Sequence, residues 1–295
     1  MKLTAITMVR NEVDLISTTI RYHLGIGCDE ILVVDNGSRD GTDHVLDRLA
    51  SRNPKVRWRS DPGGYRQGEV ITELAREAAE RGADWVFHFD ADQFWWCPSG
   101  DLRGVISATP ATVLRVSLVN FIQDRRRRAD SPRALATMRY SARPVGGVEE
   151  GYDLVSNRKI AFVEIRYPQN VLTKTSSDMV LAPGSHHVLG VEGPTLETDE
   201  IVSLHAPLRS RQALERQVET GKRVEEALPP GTVWQARRWK ALRDGGDDLE
   251  AEWRANSFEA GKLDVYGRTV QLVPDNRLRA AVAPYLPSRW KRVPS

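Results

Sequence analysis

Residues 30–42 read Glu-Ile-Leu-Val-Val-Asp-Asn-Gly-Ser-Arg-Asp-Gly-Thr, an apolar run followed at once by polar turn residues. The apolar run predicts a buried strand, and Asn, Gly, Ser and Asp are residues that tight turns favour. Ser38 or Asp40 can cap the helix that follows. A strand, a tight turn and a helix in direct succession form the unit from which parallel α/β sheets are built.

The same alternation extends over the first 125 residues and predicts an α/β fold with a mostly parallel central sheet flanked by helices. The predicted strands of this part are Leu3–Val9, Glu30–Asp35, Lys55–Ser60 and the run that ends at Asp90, and the predicted helices are Glu12–Gly25 and Gly68–Arg81. Further along, the strand candidates are Thr112–Phe121, Lys159–Ile165, Ile201–Ala206 and Thr269–Val273. Residues 123–158 are expected to form long loops with short elements, and residues 209–260 are expected to be mostly helical.

Composition excludes several classes of protein. The 295 residues carry 42 Lys and Arg against 40 Asp and Glu, so the net charge of +2 implies no nucleic-acid partner. Two cysteines support neither a disulfide framework nor a four-ligand zinc site. No signal-peptide core precedes Arg10, and no apolar stretch approaches the roughly 20 residues of a transmembrane segment. We therefore expect a cytoplasmic protein. Trp234, Trp239 and Trp253 are expected to pack helices, with a homo-oligomer interface as the alternative.

Residues 85–92, Trp-Val-Phe-His-Phe-Asp-Ala-Asp, predict a buried strand that delivers two carboxylates to its C-terminal edge. Two hard oxygen ligands one residue apart suit a divalent cation that holds phosphate oxygens. In an open α/β sheet, ligands bind outside the carboxyl ends of the strands. The turns at residues 8–12, 34–42 and 90–92 are therefore expected to line one crevice.

This ordered set resembles the family 2 glycosyltransferases and their close relatives, which have the GT-A fold. Residues 33–42 match the family pattern Val-Val-Asp-(Asp/Asn)-Gly-Ser-x-Asp-Gly-Thr, and Asp90-Ala91-Asp92 matches its Asp-x-Asp. Gln93 replaces the Glu that follows this motif in the most similar subgroup, which predicts a change in the groups that surround the metal ligands. The resemblance implies a catalytic domain at 1–206, with a nucleotide-binding half at 1–96 and an acceptor-side half at 97–206. A mainly helical extension at 207–295 would follow.

The resemblance also implies roles for individual residues. Asp35 would contact the base, and Arg66 would approach the base or the diphosphate. Asp90 would lie near the ribose and the metal, and Asp92 would bind Mn²⁺ or Mg²⁺ directly. The remaining residues expected to line the nucleotide pocket are Met8, Arg10, Glu12 and Ala91.

The rest of the site is expected from downstream residues. His187 and His205 are favoured over His186 as further metal ligands, because neutral imidazole suits Mn²⁺. An inverting transferase needs a carboxylate to take the proton of the acceptor hydroxyl, and Asp178, then Glu150, are the candidates for this general base. The basic run at residues 125–128 is expected to be a solvated loop, with contact to an anionic acceptor as the alternative.

The resemblance thus implies a metal-dependent glycosyltransferase. It would move a sugar from a nucleotide-diphosphate donor, with a UDP-sugar favoured, to a glycan, glycolipid or small-molecule acceptor with inversion. One alternative is a sugar-nucleotide-forming nucleotidyltransferase, although such enzymes carry Gly-x-Gly-x-Arg after strand one, where this chain has Met-Val-Arg-Asn at residues 8–11. Another is a non-catalytic nucleotide- or glycan-binding protein on a transferase scaffold. A dehydrogenase is disfavoured because no Gly-x-Gly-x-x-Gly opens a helix.

Overall fold

The computed structural model describes residues 1–227, 234–245 and 248–287, and of residues 234–237 it describes the backbone. The strands are β1 Leu3–Val9, β2 Glu30–Asp35, β3 Val56–Ser60, β4 Trp85–His88, β5 Gln93–Trp96, β6 Val113–Asp124, β7 Tyr140–Ser141, β8 Asn170–Lys174, β9 Val180–Leu181, β10 Val188–Leu189, β11 Thr195–His205, β12 Ser257–Phe258, β13 Leu263–Val265, β14 Arg268–Val270 and β15 Val273–Pro274. The helices are α1 Ile16–Gly25, α2 Thr42–Arg52, α3 Gln67–Glu80, α4 Leu102–Ala108, α5 Arg133–Thr137, α6 Val148–Ser156, α7 Arg211–Ala227, α8 Trp234–Arg243, α9 Leu249–Ala255 and α10 Arg277–Val282.

The chain divides into two compact units. The first unit comprises residues 1–118 and 168–204, and the second comprises residues 119–167 and the described residues from 205 onward. This differs from the predicted division at residue 206, because residues 119–167 share a hydrophobic cluster with the C-terminal part, in which Phe162 packs with Trp239 and Trp253. Residues 228–233, 246–247 and 288–295 of the predicted extension lie outside the described residues.

The first unit is built on a mostly parallel sheet, which confirms the predicted α/β class. Strands β3, β2, β1 and β4 are neighbours in that order and are parallel to one another. The sheet continues with β8, antiparallel to β4, and with the first residues of β6, antiparallel to β8. The runs in β1 and β2 are buried except at Met8, which is partly buried, as expected of parallel strands covered on both faces. The carboxyl ends of β1, β2, β3 and β4 consequently share one edge.

Several element boundaries differ from the sequence prediction. The predicted strand at Lys159–Ile165 is wrong, since Phe162–Glu164 form a 3₁₀ turn. A local hydrogen bond stabilises this turn, in which the Glu164 carboxylate accepts from the Ala161 N–H at 2.9 Å. The predicted strand at Thr269–Val273 is interrupted, with β14 ending at Val270 and β15 beginning at Val273. The expected long loops at 123–158 contain β7 and the helices α5 and α6.

The second unit is organised around short strands and packed helices. The end of β6 pairs antiparallel with β7 and parallel with β12, and β15 pairs with β7. One buried ion pair lies inside the unit, between Arg238, 2% exposed, and Glu252, 0% exposed. The same carboxylate accepts from the Tyr266 hydroxyl at 2.7 Å and from Asn256 Nδ2 at 3.1 Å. Burial raises the pKa of Tyr266, and the negative charge of Glu252 raises it further. The phenol therefore remains a donor to that carboxylate.

Both cysteines of the chain are buried. Cys28 is 1% exposed and Cys97 is 2% exposed, and both are free thiols. Burial raises the pKa of Cys28, with the charge of Asp29 adding to the effect. A thiol that stays protonated and inaccessible is a poor nucleophile. Neither cysteine therefore belongs to a reactive site. Among the described helices, none has the length and apolar content needed to cross a membrane.

Glu30, at the amino end of β2, is expected to couple the stability of the first unit to acid pH. Burial raises its pKa, but bonds from Arg81, Lys2 and Arg57 outweigh burial and hold the pKa at about 2, below the ordinary 4.5. A depressed pKa contributes stability that is present above the unfolded value and is lost as pH falls toward the folded value. Glu30→Gln should therefore lower the free energy of unfolding at neutral pH, and the difference from wild type should shrink between pH 4.5 and pH 2. Denaturant unfolding over this pH range measures the difference, and a constant difference would contradict the expectation.

Candidate functional site

The turns that follow β1 and β2 are joined by hydrogen bonds. The Asn11 N–H donates to Ser38 Oγ at 2.8 Å, and the Arg39 N–H donates to Asn11 Oδ1 at 2.8 Å. Arg10 Nη1 donates to the Asn36 carbonyl at 2.5 Å. Asn11 adopts φ of +55°, in the left-handed region that Asn tolerates better than most residues. The two turns therefore form one continuous rim at the carboxyl edge of the sheet.

The second turn is ordered by its own polar side chains. Asp35 is 2% exposed, and its carboxylate accepts from the Ser38 N–H at 3.0 Å and from the Ser38 hydroxyl. Asn36 Nδ2 donates to the Asp61 carbonyl at 2.9 Å and to the Gly63 carbonyl at 3.2 Å. Asp35 thus holds the turn in shape, and Asn36 ties it to the loop after β3. A base contact by Asp35 would use the lone pairs that Ser38 leaves.

Asp90-Ala91-Asp92 form the tight turn between β4 and β5. The Gln93 N–H closes the turn on the Asp90 carbonyl at 2.9 Å, and Thr19 Oγ1 of α1 donates to the Ala91 carbonyl at 2.6 Å. The Asp90 side chain is 38% exposed, whereas Asp92 as a whole residue is only 8% exposed. The two carboxylates therefore occupy different environments although they are one residue apart.

Neutral amide side chains hold the Asp90 carboxylate. Gln93 Nε2 donates to Asp90 Oδ2 at 2.9 Å, and Gln67 Nε2 lies 3.4 Å from Asp90 Oδ1. Gln93 is itself oriented, since Asn170 Nδ2 donates to Gln93 Oε1 at 2.9 Å. Gln67 Oε1 accepts from the Gly184 N–H at 3.2 Å and so connects the turn to the loop that carries the histidines. The residue that departs from the family pattern, Gln93, therefore contacts Asp90 directly.

Two histidines lie in the neighbourhood of Asp90, and neither was predicted as a ligand. His88 is 0% exposed, its Nε2 lies 3.7 Å from Asp90 Oδ1, and neither ring nitrogen has a hydrogen-bond partner. Burial lowers its pKa, against an opposing effect of Asp90. Burial also lowers the pKa of His186, and the Gln169 carbonyl and then Asp90 oppose that effect. The Gln169 carbonyl can only accept, so His186 Nδ1, 3.3 Å away, carries the proton and Nε2 keeps its lone pair. His187 is exposed.

His205 lies in the second unit and is oriented by Asn120. Its Nδ1 lies 2.9 Å from Asn120 Oδ1, while Asn120 Nδ2 donates to the carbonyls of Val163 at 3.2 Å and Ile165 at 3.1 Å. The Asn120 oxygen can only accept, so neutral His205 carries its proton on Nδ1, as metal-binding histidines do when an oxygen atom orients them.

The turn can bind a divalent cation only if ligands from outside the protein complete the coordination. Asp90 and Asp92 supply hard carboxylate oxygens of the kind that Mg²⁺ and Mn²⁺ prefer. Within the part of the chain that the structure describes, no group of three or more His, Cys, Asp or Glu side chains is positioned to hold a metal ion. Sites with one or two protein carboxylates are completed by water and by substrate phosphates. The residues present therefore fit a cation shared with a bound diphosphate.

The other predicted nucleotide residues lie near the same edge but have structural partners. Arg66 precedes α3 and bonds Asp61 at 2.7 Å, Glu73 at 3.2 Å and Glu69 at 3.3 Å, and these carboxylates raise its pKa. Glu12 is half-buried, and its N–H donates to Thr42 Oγ1 at 2.8 Å. Met8, near the end of β1, packs against the apolar core. Arg66 could reach a nucleotide only by exchanging some of these bonds.

Neither general-base candidate is supported by its position. Strand β8 is antiparallel to β4, with Lys174 opposite Trp85, so the loop that carries Asp178 begins at the amino edge of the sheet. Asp90 lies at the opposite, carboxyl edge, because β4 runs from Trp85 towards it. Asp178 is exposed, and the Thr175 N–H in the same loop donates to the Asp84 carbonyl at 3.1 Å. This loop thus begins at the edge opposite to Asp90, and the assignment of Asp178 as general base stays a prediction.

Glu150 lies in the second unit and serves as a helix cap. It is the third residue of α6, and its carboxylate accepts from the Gly147 N–H at 3.3 Å. Its exposed side chain lines a surface depression together with Asp153, Asn157 and Lys159. The capping bond gives this carboxylate a structural role and is no evidence for a catalytic one. Its catalytic assignment stays a prediction.

Replacing Gln93 by Glu should destabilise the metal-free protein. Gln93 is 4% exposed, so a Glu there would place a second buried carboxylate against Asp90 and remove the bond that Gln93 donates. We expect the free energy of unfolding to fall by about 1–3 kcal/mol, and more than in Gln93→Met, which loses the bond without adding charge. Thermal unfolding in EDTA compares the two variants. Mn²⁺ should restore part of the loss in Gln93→Glu alone, and equal destabilisation by both variants would argue against charge repulsion.

In comparisons with known proteins, a family model matches the first part of the chain. Residues 4–128 match the family model described as Glycosyl transferase family 2. A glycosyltransferase family 92 protein of Arabidopsis thaliana is 29% identical over 106 residues, which cover 36% of this chain and 18% of that protein. A glycosyltransferase family 92 protein of Ricinus communis is 31% identical over 97 residues, covering 33% of this chain and 17% of that protein. The matched segment thus spans less than a fifth of each relative.

Solved structures are similar at low sequence identity. The mannosyltransferase PcManGT from Pyrobaculum calidifontis, in complex with GDP-Man and Mn²⁺, is 16% identical, with a TM-score of 0.42 over 96% of this chain and 73% of that one. TarS 1-349 of S. aureus is 12% identical, with a TM-score of 0.39 over 87% of this chain and 71% of that one. Both TM-scores are low, and neither adds independent support for a shared fold.

Proposed function

We propose that this chain, whose residues 4–128 match the glycosyl transferase family 2 model, is a GT-A glycosyltransferase that uses a nucleotide-diphosphate sugar. The observation that carries the proposal is the Asp90-Ala91-Asp92 turn, which lies at the carboxyl edge of a mostly parallel sheet. That edge is where open α/β sheets bind their ligands. The sugar passes to an acceptor hydroxyl, with inversion as the expected outcome.

The first unit supplies the donor-binding residues in this proposal. The rim formed by the turns after β1 and β2 holds the nucleoside, with Asp35 at the base and Arg10 and Glu12 beside it. The polar cross-links of this rim fix its shape before the nucleotide binds, so little ordering entropy is lost on binding. A UDP-sugar is the favoured donor, because a carboxylate can accept from the imide N–H of uracil.

The two carboxylates of the turn have different proposed roles. Asp92, which is mostly buried, is the principal ligand of a divalent cation, Mn²⁺ or Mg²⁺, and Asp90 lies between that cation and the ribose. When bound, the cation supplies a positive charge that stabilises the departing nucleoside diphosphate. Gln93 and Gln67 keep the Asp90 carboxylate oriented through neutral donors. His205 and His187 remain proposed additional ligands, and His186 joins them because its pKa responds to Asp90.

A ligand screen of the full chain tests the proposal. Nucleoside diphosphates of uridine, guanosine and thymidine, and the matching sugar nucleotides, are compared by thermal unfolding with Mn²⁺ and with EDTA. A ligand that binds only the folded chain raises the unfolding temperature by mass action. We expect at least one diphosphate to raise it in Mn²⁺ and to do so much less in EDTA. Absence of any shift across the series would refute donor binding.

Turnover then separates an enzyme from a binding protein. The diphosphate that stabilises the chain is offered as its sugar nucleotide with Mn²⁺, and release of the nucleoside diphosphate is followed with and without candidate acceptors. Release that depends on protein and metal supports the transferase. Binding without release across all donors and acceptors would favour the non-catalytic alternative, in which Gln93 marks a site that no longer turns over.

A further inference from the structure

The basic run at residues 125–128, in the second unit, is not uniformly neutralised. Three of its four guanidinium groups bond a carboxylate of the same unit, namely Arg125 to Glu259 at 2.7 Å, Arg126 to Asp124 at 2.6 Å and Arg128 to Glu250 at 2.7 Å. Arg127 has no such bond within the described residues. The two acidic residues nearest to it along the chain, Asp124 and Asp130, already pair with Arg126 and Arg216. The run therefore contains one guanidinium that makes no ion pair of its own among the described residues, although the charge of Asp124 still acts on it.

A second guanidinium that makes no ion pair among the described residues lies close to Arg127. Arg133, at the first position of α5, makes no side-chain hydrogen bond among the described residues, and its Nε is fully shielded from solvent without an acceptor. Both Arg127 and Arg133 are half-buried. Burial lowers the pKa of Arg127, and the charge of Arg133 lowers it further, whereas Asp124 opposes both effects. Guanidinium groups nevertheless stay protonated in proteins, so two partly desolvated cations repel each other here.

The backbone around both residues is held in place by Gln123, which is 0% exposed. Its Nε2 donates to the Ala134 carbonyl beside Arg133 at 2.9 Å, and also to the Arg209 carbonyl at 3.0 Å. The Arg211 N–H, two residues further along, donates to the Arg127 carbonyl at 2.9 Å. The loop with Arg127 and the helix with Arg133 are therefore fixed to the same stretch of chain, at the start of α7.

Two half-buried cations that make no ion pair among the described residues are costly unless an anion binds to them. From this arrangement we infer that Arg127 and Arg133 form a binding site for a phosphate group. The planar guanidinium fork matches phosphate oxygens bidentately, and a phosphate would give the shielded Arg133 Nε the acceptor it lacks. The phosphate is either that of a phosphorylated acceptor or a free phosphate anion. The inference concerns the second unit alone and does not rest on the proposed donor site.

Calorimetric titration of the full chain tests the site, with pyrophosphate, inorganic phosphate and glucose 1-phosphate at constant ionic strength. Arg127→Gln and Arg133→Gln should each weaken binding about 10-fold or more, because each removes charged hydrogen bonds to the anion. Arg127→Lys should bind with intermediate affinity, since it keeps the charge and loses the fork. The matched control is Arg128→Gln, in the same loop but bonded to Glu250, which should bind like wild type.

Folding and the donor site are controlled separately. Arg127→Gln should not lower the unfolding temperature, because it removes a repulsion and no side-chain bond among the described residues. Asp92→Asn should leave phosphate binding unchanged. Tighter binding of glucose 1-phosphate than of the inorganic anions assigns the site to a phosphorylated acceptor, and the reverse order assigns it to free phosphate. No binding to wild type, or equal weakening in Arg128→Gln and Arg127→Gln, would overturn the inference.

Discussion

Asp92→Asn should lower Mn²⁺-dependent release of nucleoside diphosphate from the sugar nucleotide by at least about 100-fold. Asn keeps the size of the side chain in a turn where Asp92 is only 8% exposed, but it removes the negative charge that a hard divalent cation requires. The fold should survive, because the main-chain bonds of the turn, from Thr19 to the Ala91 carbonyl and from the Gln93 N–H to the Asp90 carbonyl, do not involve the Asp92 carboxylate.

Two measurements make the Asp92 result specific. Electron paramagnetic resonance of Mn²⁺ with the nucleoside diphosphate present should show weaker metal binding in Asp92→Asn, independently of any turnover. Asp43→Asn is the matched control, since Asp43 is a partly exposed carboxylate in the first turn of α2. Its rate and its metal binding should equal those of wild type. A wild-type rate in Asp92→Asn would remove this carboxylate from the proposed site.

Glu252→Gln should lower the free energy of unfolding by about 3–5 kcal/mol, because it leaves the Arg238 guanidinium buried without its counter-charge. Glu252 is 0% exposed and also accepts from Tyr266 and Asn256, so no water replaces the lost carboxylate easily. Denaturant unfolding followed by tryptophan fluorescence measures the change. Trp253, adjacent in sequence and 0% exposed, reports on this part of the second unit.

Paired controls separate the buried ion pair from charge in general. Glu215→Gln removes the partner of Arg211 on the surface of α7 and should cost no more than about 1 kcal/mol. Replacing both partners, as Arg238→Met with Glu252→Leu, should recover most of the stability, because two apolar side chains carry no desolvation cost. If the double variant were as unstable as Glu252→Gln alone, packing and not the unpaired charge would explain the loss.

The strand and helix pattern of the first unit was predictable from sequence because its signals are local. Apolar runs and polar turns define β1 and β2 with the predicted bounds, and α3 differs from its prediction by one residue at each end. The carboxyl-edge position of the Asp90 turn follows from the parallel strand order. The family pattern supplied the remaining constraint, because it fixed which of the turns belong together.

The contacts around the site were not predictable, because they join residues that are distant in sequence. Asn170 orients Gln93 from 77 residues away, and Gln67 reaches Asp90 from 23 residues away. The choice of His187 over His186 failed to anticipate which of two adjacent side chains is the more buried. Asp178 was chosen by spacing alone, whereas the antiparallel direction of β8 takes it to the opposite edge of the sheet.

The burial of both native thiols makes this chain suitable for site-selective labelling without prior removal of cysteine. A maleimide dye should react with a single introduced cysteine, because Cys28 and Cys97 are almost fully shielded. Leu189, 69% exposed in the first unit, and Arg126, whose side chain is 83% exposed in the second, are suitable positions. One label on each unit would let the response to a nucleotide and the response to a phosphate be read separately in the same chain.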